Sequence, residues 1–313
     1  MDISFRLVDV FSARPFGGNQ LAVFTDADGL DDSTMQQLAR EFNFSETTFV
    51  LPPQQWSHTC QLRIFTPHQE LPFAGHPTIG TAAVLANSRP PTDHPQRYIL
   101  EEGVGPVTVE VDGNHSRLVM SWPVPETTAT PPTAASLANA LSLHTTAVID
   151  WWCAGVGLGF NFVRVATPEV VDDASLNRSA WEEGIADGWS PHLFVFAGEL
   201  AARANLYARC FAPAVGVDED AATGSACVAL VASAVERSAP DFGNLHFEID
   251  QGVAMGRPSR IEADARMEHG RLAEISVGGA TTILGGGVIT LDPSCLPRPP
   301  PPIPRTSSTS TDN

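Results

Sequence analysis

The chain has 313 residues, which is enough for one large domain or two of about 150 residues each, and its 43% hydrophobic and 17% charged content is ordinary for a folded protein. Thirty-six acidic against 18 basic residues give a formal net charge of −18, which repels polyanions and argues against a nucleic-acid partner. No run reaches the roughly 18 apolar residues of a membrane span, and the first residues lack a secretory signal, so we expect a cytoplasmic protein with no membrane partner.

The first half is predicted to be mostly strand, arranged as a meander. Short apolar or alternating segments, bounded by Gly, Pro and Asp, predict strands at 4–11, 21–25, 47–51, 59–66, 98–102, 107–111 and 118–122. Residues 32–43 differ, because Met35, Leu38 and Phe42 recur at helical spacing after an acidic cap. This pattern predicts an amphipathic helix on the outside of the fold. A run of small and aliphatic residues at 77–86 predicts a buried helix.

The second half repeats the pattern and ends in a segment of different composition. Strands are predicted at 147–152, 161–166, 192–197, 205–211, 244–249 and in several pieces of 259–290, with a second buried helix at 226–235. Trp151 and Trp152 stand beside a Gly-rich stretch and could line a flat ligand site, or could belong to the core and a turn. Residues 292–313 are rich in Pro, Ser and Thr and predict a disordered tail.

Short matches between the two halves indicate an internal duplication. Residues 63–67 match 209–213 at an offset of 146, while 74–76 match 223–225 and 102–104 match 251–253, both at an offset of 149. Their common order and register predict an α+β fold of two pseudo-symmetric lobes, 1–125 and 126–291. Each lobe is predicted to be a rolled, mainly antiparallel sheet around a central helix, with a final strand that can pack back on the first lobe.

Both predicted central helices begin in loops suited to a small anion. The loops are Gly75-His76-Pro77 and Thr223-Gly224-Ser225, and Pro at a helix start together with small residues before it is a typical start signal. The first N–H groups of a helix lack internal partners and the helix dipole is positive there, so each loop could hold a carboxylate. Two ordinary helix caps explain the same pattern.

Three titratable residues stand close to these loops in sequence. His76 belongs to the first loop, and a helix cap or a satisfied core residue explains it as well as a functional role does. Asp218, Glu219 and Asp220 precede the second loop; Asp220 is the candidate for its inner edge, although dipole compensation also accounts for such a cluster. Glu46 lies where the first helix ends and a strand begins. Partial burial would raise its pKa and suit it to acid/base work, whereas a solvent-exposed turn would not.

Four motifs in the same order resemble the PhzF-like family of phenazine biosynthesis isomerases, which shares the diaminopimelate epimerase-like fold. They are 9–24, 43–50, 70–78 and 219–226, and the resemblance spans about residues 8 to 290. It implies that Glu46 is the general acid/base, that His76, Asp220 and Ser225 line the site, and that the protein is a homodimer without metal or organic cofactor. Gln20 and Ala221 depart from the family, which commonly has Pro at both positions.

Residue identities narrow the expected reaction. Related epimerases use a pair of cysteines, but Ala74 and Ala222 stand in the two loops here, and a single carboxylate suits removal and return of a proton on one face. We therefore expect a cofactor-independent isomerase that acts on a small cyclic amino acid or carboxylate of phenazine-like or other antibiotic biosynthesis. An isomerase of an alkyl-proline or pyrroline precursor, a silent small-acid binding protein and a thiol-based epimerase are the alternatives.

The cysteines point to neither a disulfide framework nor a zinc site. Their number is odd, they are scattered, and none forms a Cys-x-x-Cys pair, so we expect reduced thiols: Cys60, Cys153, Cys210, Cys227 and Cys295.

Overall fold

The computed structural model describes residues 1–121, 123–128, 130–238 and 243–291. The predicted disordered tail, 292–313, lies outside the described residues. In the first half the strands are β1 (Asp2–Val10), β2 (Asn19–Phe24), β3 (Glu46–Leu51), β4 (Cys60–Phe65), β5 (Glu70–Leu71), β6 (Gln96–Glu102), β7 (Gly105–Asp112), β8 (His115–Ser121) and β9 (Glu126–Thr127). The helices there are α1 (Asp32–Phe42) and α2 (Gly75–Asn87).

The second half contains eight strands and four helices among the described residues. The strands are β10 (Val148–Val156), β11 (Leu158–Val165), β12 (Leu193–Ala197), β13 (Arg203–Ala212), β14 (Val217–Asp220), β15 (Leu245–Gln251), β16 (Ser259–Glu268) and β17 (Arg271–Thr290). The helices are α3 (Ala134–Ala140), α4 (Pro168–Asp172), α5 (Arg178–Gly184) and α6 (Gly224–Ser238).

The first lobe is not the simple meander that the strand spacing predicted. Strands β2 and β3 pair in parallel, and so do β4 and β6, whereas the other neighbours pair antiparallel. Parallel neighbours need a crossover connection, and α1 and α2 provide the two crossovers. The sheet rolls around α2, whose residues 75–84 are all buried.

The second lobe repeats this topology. Strands β11 and β12 are parallel, as are β13 and β15, and the other neighbours from β10 to β17 pair antiparallel. The crossovers are made by α4 with α5 and by α6. Helices α2 and α6 begin at Gly75 and Gly224, at the offset of 149 residues that the sequence repeat shows. Both central helices therefore start at equivalent points of the two lobes.

Strand β17 connects the two lobes. Its residues 271–278 pair with β16 of the second lobe, whereas residues 274–280 pair with β8 and residues 281–290 with β1 of the first lobe. Strand β9, at the junction between the lobes, pairs with β10. Arg257 adds a further connection, because it donates to the backbone oxygens of Gly17 and Gly18 and to the buried Asp9. These contacts fix the relative position of the lobes.

Several side chains left open by the sequence lie in the core. Trp152 is buried, stacks on Phe162 with ring centroids 5.4 Å apart, and donates through Nε1 to Ser233 Oγ at 3.0 Å. It is a core residue, while Trp151 is 37% exposed. The four described cysteines are buried and free. Among the described residues, no helix has the length and apolar character needed to cross a membrane.

Candidate active site

The starts of α2 and α6 meet at a cavity between the lobes. A methyl group added to Gly75 would lie 3.7 Å from the backbone nitrogen of Ser225, which is an ordinary van der Waals contact. The gap between the two helix starts is therefore about one methyl group wide at this point. The cavity has a volume of about 340 Å³ and contains every predicted site residue: Glu46, Gly75, His76, Asp220, Thr223, Gly224 and Ser225.

In the part of the chain that the structure describes, the only positive electrostatic potential offered to an anion in this cavity comes from the helix starts. No Lys or Arg is found among the described residues that line it. The residue before α2, Ala74, provides no side-chain cap, which leaves the first N–H groups of the helix to other acceptors. Two positive dipole ends therefore supply the attraction that a carboxylate needs.

Glu46 is buried in this cavity rather than exposed on a turn. Helix α1 ends at Phe42, and Asn43 adopts a left-handed conformation (φ 52°) that redirects the chain into β3. The Glu46 side chain is 16% exposed, and its Oε2 has no hydrogen-bond partner among the described residues. Burial, assisted by the negative charge of Asp220, raises the pKa of Glu46 to about 8, against the hydrogen bond from Ser45. A carboxyl group with this pKa can accept and donate protons near neutrality.

His76 faces Glu46 from the first turn of α2. Its Nε2 lies 3.5 Å from Glu46 Oε2 and has no hydrogen-bond partner within the described parts of the chain. Burial lowers the pKa of His76 to about 3, so the imidazole is neutral at pH 7. His76 is therefore a polar but uncharged neighbour of the Glu46 carboxyl.

Asp220 alone of its acidic cluster enters the cavity. Its Oδ1 accepts from Asn19 Nδ2 and its Oδ2 from Thr223 Oγ1, both at 2.7 Å. Burial raises the pKa of Asp220 to about 6, and these hydrogen bonds act in the opposite direction. The carboxyl group is thus mostly ionised at pH 7. Glu219 and Asp218 are instead paired with arginines outside the cavity, Arg209 and Arg178.

Asn19 and Gln251, which the sequence did not single out, hold the site together. The buried Asn19 amide donates to Asp220 and to the backbone oxygen of Ala222 at 3.1 Å, lies 3.3 Å from His76 Nδ1, and accepts from Ser45 Oγ. Gln251 accepts from the backbone of Thr223 and donates to the backbone oxygen of Asp220. Neither amide titrates, so a search for acid/base groups passes over them.

His192 is a third residue that the sequence reasoning missed. It lines the second-lobe side of the cavity and lies just before β12. Burial lowers the pKa of His192 to about 4.

Neither a cysteine-based site nor a metal site is found in this cavity among the described residues. No cysteine is among the described residues that line it, which removes the agents of a thiol-based epimerisation. Within the described ranges, no group of three or more His, Cys, Asp or Glu side chains is arranged to hold a metal ion. The absence of metal and organic cofactor stays a prediction.

Comparison with known proteins identifies the family. The family model described as phenazine biosynthesis-like protein matches residues 8–287. The chain belongs to this family. It is 36% identical over 291 residues to the trans-2,3-dihydro-3-hydroxyanthranilate isomerase of Pseudomonas chlororaphis, covering 92% of this chain and 99% of the relative. An uncharacterised isomerase of Mesorhizobium japonicum is 35% identical over 298 residues, covering 91% of this chain and 97% of the relative.

A solved structure gives the same fold. The PhzF-family phenazine biosynthesis protein of Bacillus anthracis superimposes with a TM-score of 0.79 at 19% identity, covering 93% of this chain and all of that chain. The expected membership of the PhzF-like family, the isomerase class and the α+β diaminopimelate epimerase-like fold are confirmed. The roles of the individual site residues stay predictions.

Proposed function

We propose that this protein is a cofactor-independent isomerase that moves a proton, and with it a double bond, in a small cyclic amino acid or carboxylate of phenazine-like secondary metabolism. The observation that carries the proposal is the Glu46 carboxyl group, which is buried without a hydrogen-bond partner on Oε2 beside two converging helix starts. The relatives named as trans-2,3-dihydro-3-hydroxyanthranilate isomerases make that compound the first substrate to test.

The two helix starts support both binding and catalysis. The substrate carboxylate accepts hydrogen bonds from the free N–H groups around Gly75 and Gly224, where the helix dipoles are positive. When a proton leaves a ring carbon conjugated to this carboxylate, negative charge spreads onto the carboxylate oxygens. The same N–H groups then stabilise more charge than in the ground state, which lowers the barrier.

Glu46 carries the proton in both steps. Its ionised carboxylate removes a proton from one ring carbon, the double bond moves, and the protonated Glu46 returns a proton to a second carbon on the same face. The net change is a shift of one hydrogen and one double bond, so no oxidant, reductant or second substrate is needed. His76 Nε2, 3.5 Å away, is placed to orient the carboxyl group between the two steps.

The proposal is tested with trans-2,3-dihydro-3-hydroxyanthranilate and purified protein, with the ring protons followed by NMR in heavy water at pH 7. We expect rearrangement of the ring with the wild-type protein and a loss of about 10²–10⁴-fold in rate for Glu46→Gln. Glu102→Gln is the matched control. Glu102 is also buried, with a pKa raised to about 8, but its carboxyl group accepts from Thr78 and does not line the cavity.

The result separates this proposal from its alternatives. A silent small-acid binding protein binds the compound but leaves all its ring signals unchanged. An isomerase of an alkyl-proline or pyrroline precursor leaves this compound unchanged and exchanges ring hydrogens of a cyclic imino acid instead. A Glu46→Gln variant as active as wild type would remove Glu46 from the mechanism. The expected homodimer also stays a prediction, which analytical ultracentrifugation checks.

A further inference from the structure

The imidazole of His192 is a buried polar group in the cavity, and the proposed proton transfer does not involve it. Its backbone is held firmly, because the His192 oxygen accepts from the backbone and side chain of Asn161 and its N–H donates to Ser190 Oγ. The side chain is different. The imidazole lines the cavity, and its Nδ1 is buried without a hydrogen-bond partner in the described parts of the chain. A ligand group that hydrogen-bonds to this ring would add to the affinity of binding.

The strand register makes His192 the counterpart of Glu46 in the second lobe. In the first lobe Thr47 pairs with Phe65, and in the second Leu193 pairs with Phe211. Because 63–67 and 209–213 are equivalent in the sequence repeat, Thr47 corresponds to Leu193 and the preceding residues, Glu46 and His192, correspond to each other. The two side chains therefore enter the cavity at equivalent points of opposite lobes.

The surroundings of His192 determine which chemical group it can bind. The cavity wall formed by the second lobe outside 220–225 is otherwise apolar or glycine, with no other polar side chain: Val156, Gly157, Leu158, Phe160, Ala212, Val215 and Val217. The ring of Phe160 lies 5.6 Å from the imidazole, centroid to centroid. With a pKa lowered to about 4, the imidazole is uncharged at pH 7. A neutral imidazole offers one donor and one acceptor, which suits a hydroxyl group, whereas the helix starts already account for the carboxylate.

We propose that the His192 imidazole hydrogen-bonds a hydroxyl substituent on the ring of the substrate and, from the lobe opposite Glu46, turns the reacting carbon toward the Glu46 carboxyl group. The inference rests on the proposed function in that it places the substrate in the same cavity. It goes further, because it names the residue that recognises the ring hydroxyl group.

The test compares the binding of two unreactive aromatic analogues by titration calorimetry. 3-Hydroxyanthranilate and anthranilate share a carboxylate and an amino group and differ only in the hydroxyl. For the wild-type protein we expect about tenfold tighter binding of the hydroxylated compound, the value of one hydrogen bond. His192→Phe should bind both compounds equally. His192→Asn should restore part of the preference, because the Asn amide, like the neutral imidazole, offers a donor and an acceptor to the hydroxyl group.

Each outcome decides the inference. If His192 had a purely structural role, its replacement would weaken the binding of both analogues to the same degree. In the proposed role, its replacement removes only the preference for the hydroxylated analogue. Three results overturn the inference: equal affinities of the wild-type protein for the two analogues, failure to bind either analogue, or an unchanged preference in His192→Phe. If circular dichroism shows that His192→Phe is unfolded, His192→Ala takes its place. Binding requires no turnover, so a protein that prefers the hydroxylated analogue but leaves dihydro-3-hydroxyanthranilate unchanged would refute the proposed function and not this inference.

Discussion

Replacing Asp220 by Asn tests whether the pair of carboxyl groups in the cavity sets the pH dependence of the reaction. The rise in the pKa of Glu46 from 4.5 to about 8 corresponds to about 5 kcal/mol, of which burial supplies the larger part and the Asp220 charge the smaller. We expect Asp220→Asn to lower the pKa of Glu46 by about one unit, or about 1.4 kcal/mol. Asn keeps the shape of Asp and can still accept from Asn19, although its amide nitrogen cannot accept from Thr223 Oγ1 as Asp220 Oδ2 does.

The assay is kcat/KM for trans-2,3-dihydro-3-hydroxyanthranilate between pH 5.5 and 9.5. Glu46 must be ionised to remove a proton, so kcat/KM of the wild-type enzyme should rise up to tenfold per pH unit and level off above about 8. In Asp220→Asn the plateau should begin about one unit lower. The exposed Asp218, paired with Arg178, is the control, because Asp218→Asn should leave the midpoint unchanged. A midpoint that stays at 8 or rises in Asp220→Asn refutes the reasoning.

Two further changes test the buried groups around the helix starts. Burial raises the pKa of Glu102 from 4.5 to about 8, so its protonated form contributes stability that is complete below pH 4.5 and is lost as the pH rises toward 8. At pH 9 Glu102→Gln should therefore have a free energy of unfolding larger than that of wild type, by up to about 5 kcal/mol, and should unfold at a higher temperature, whereas at pH 4.5 it should not. Equal melting temperatures at pH 9 would contradict this. Gly75→Ala places a methyl group 3.7 Å from Ser225 N, where the substrate carboxylate is expected, and should lower kcat/KM at least about tenfold. A kcat/KM within twofold of wild type in steady-state kinetics would contradict this.

The sequence predicted the central helices and most strands well, because their signals are local. Small and aliphatic runs after Gly75 and Gly224 predicted two buried helices, and α2 and α6 begin at these glycines. Strand order was harder to infer. The meander expected for the first lobe was wrong, since whether β2 and β3 pair in parallel depends on how α1 packs rather than on the strands themselves. Helices α4 and α5, of five and seven residues, are too short to show a helical period.

The site was only partly accessible to sequence reasoning. The type of titratable side chain and its position next to the loops pointed to Glu46, His76 and Asp220. The pKa of Glu46, however, is also raised by the charge of Asp220 from the opposite lobe, which local sequence does not reveal. Asn19 contacts Asp220 across 201 positions of the chain, so nothing near Asn19 indicates its partner. His192 carried a signal that was overlooked, because the repeat offset of 146 aligns it with Glu46.

The duplicated lobes supply equivalent positions with different chemistry. Gly75 and Gly224 are identical, which supports a carboxylate seat shared by the two lobes. The side chains around that seat differ, since Glu46 corresponds to His192 and His76 corresponds to Ser225. A second acid/base group at the point equivalent to Glu46 would suit inversion at carbon, but His192, with a pKa of about 4, does not change ionisation near neutrality. Asp220, with a pKa of about 6, is instead engaged by Asn19 and Thr223. The divergence of the duplicated positions thus favours proton removal and return on the single face that Glu46 serves.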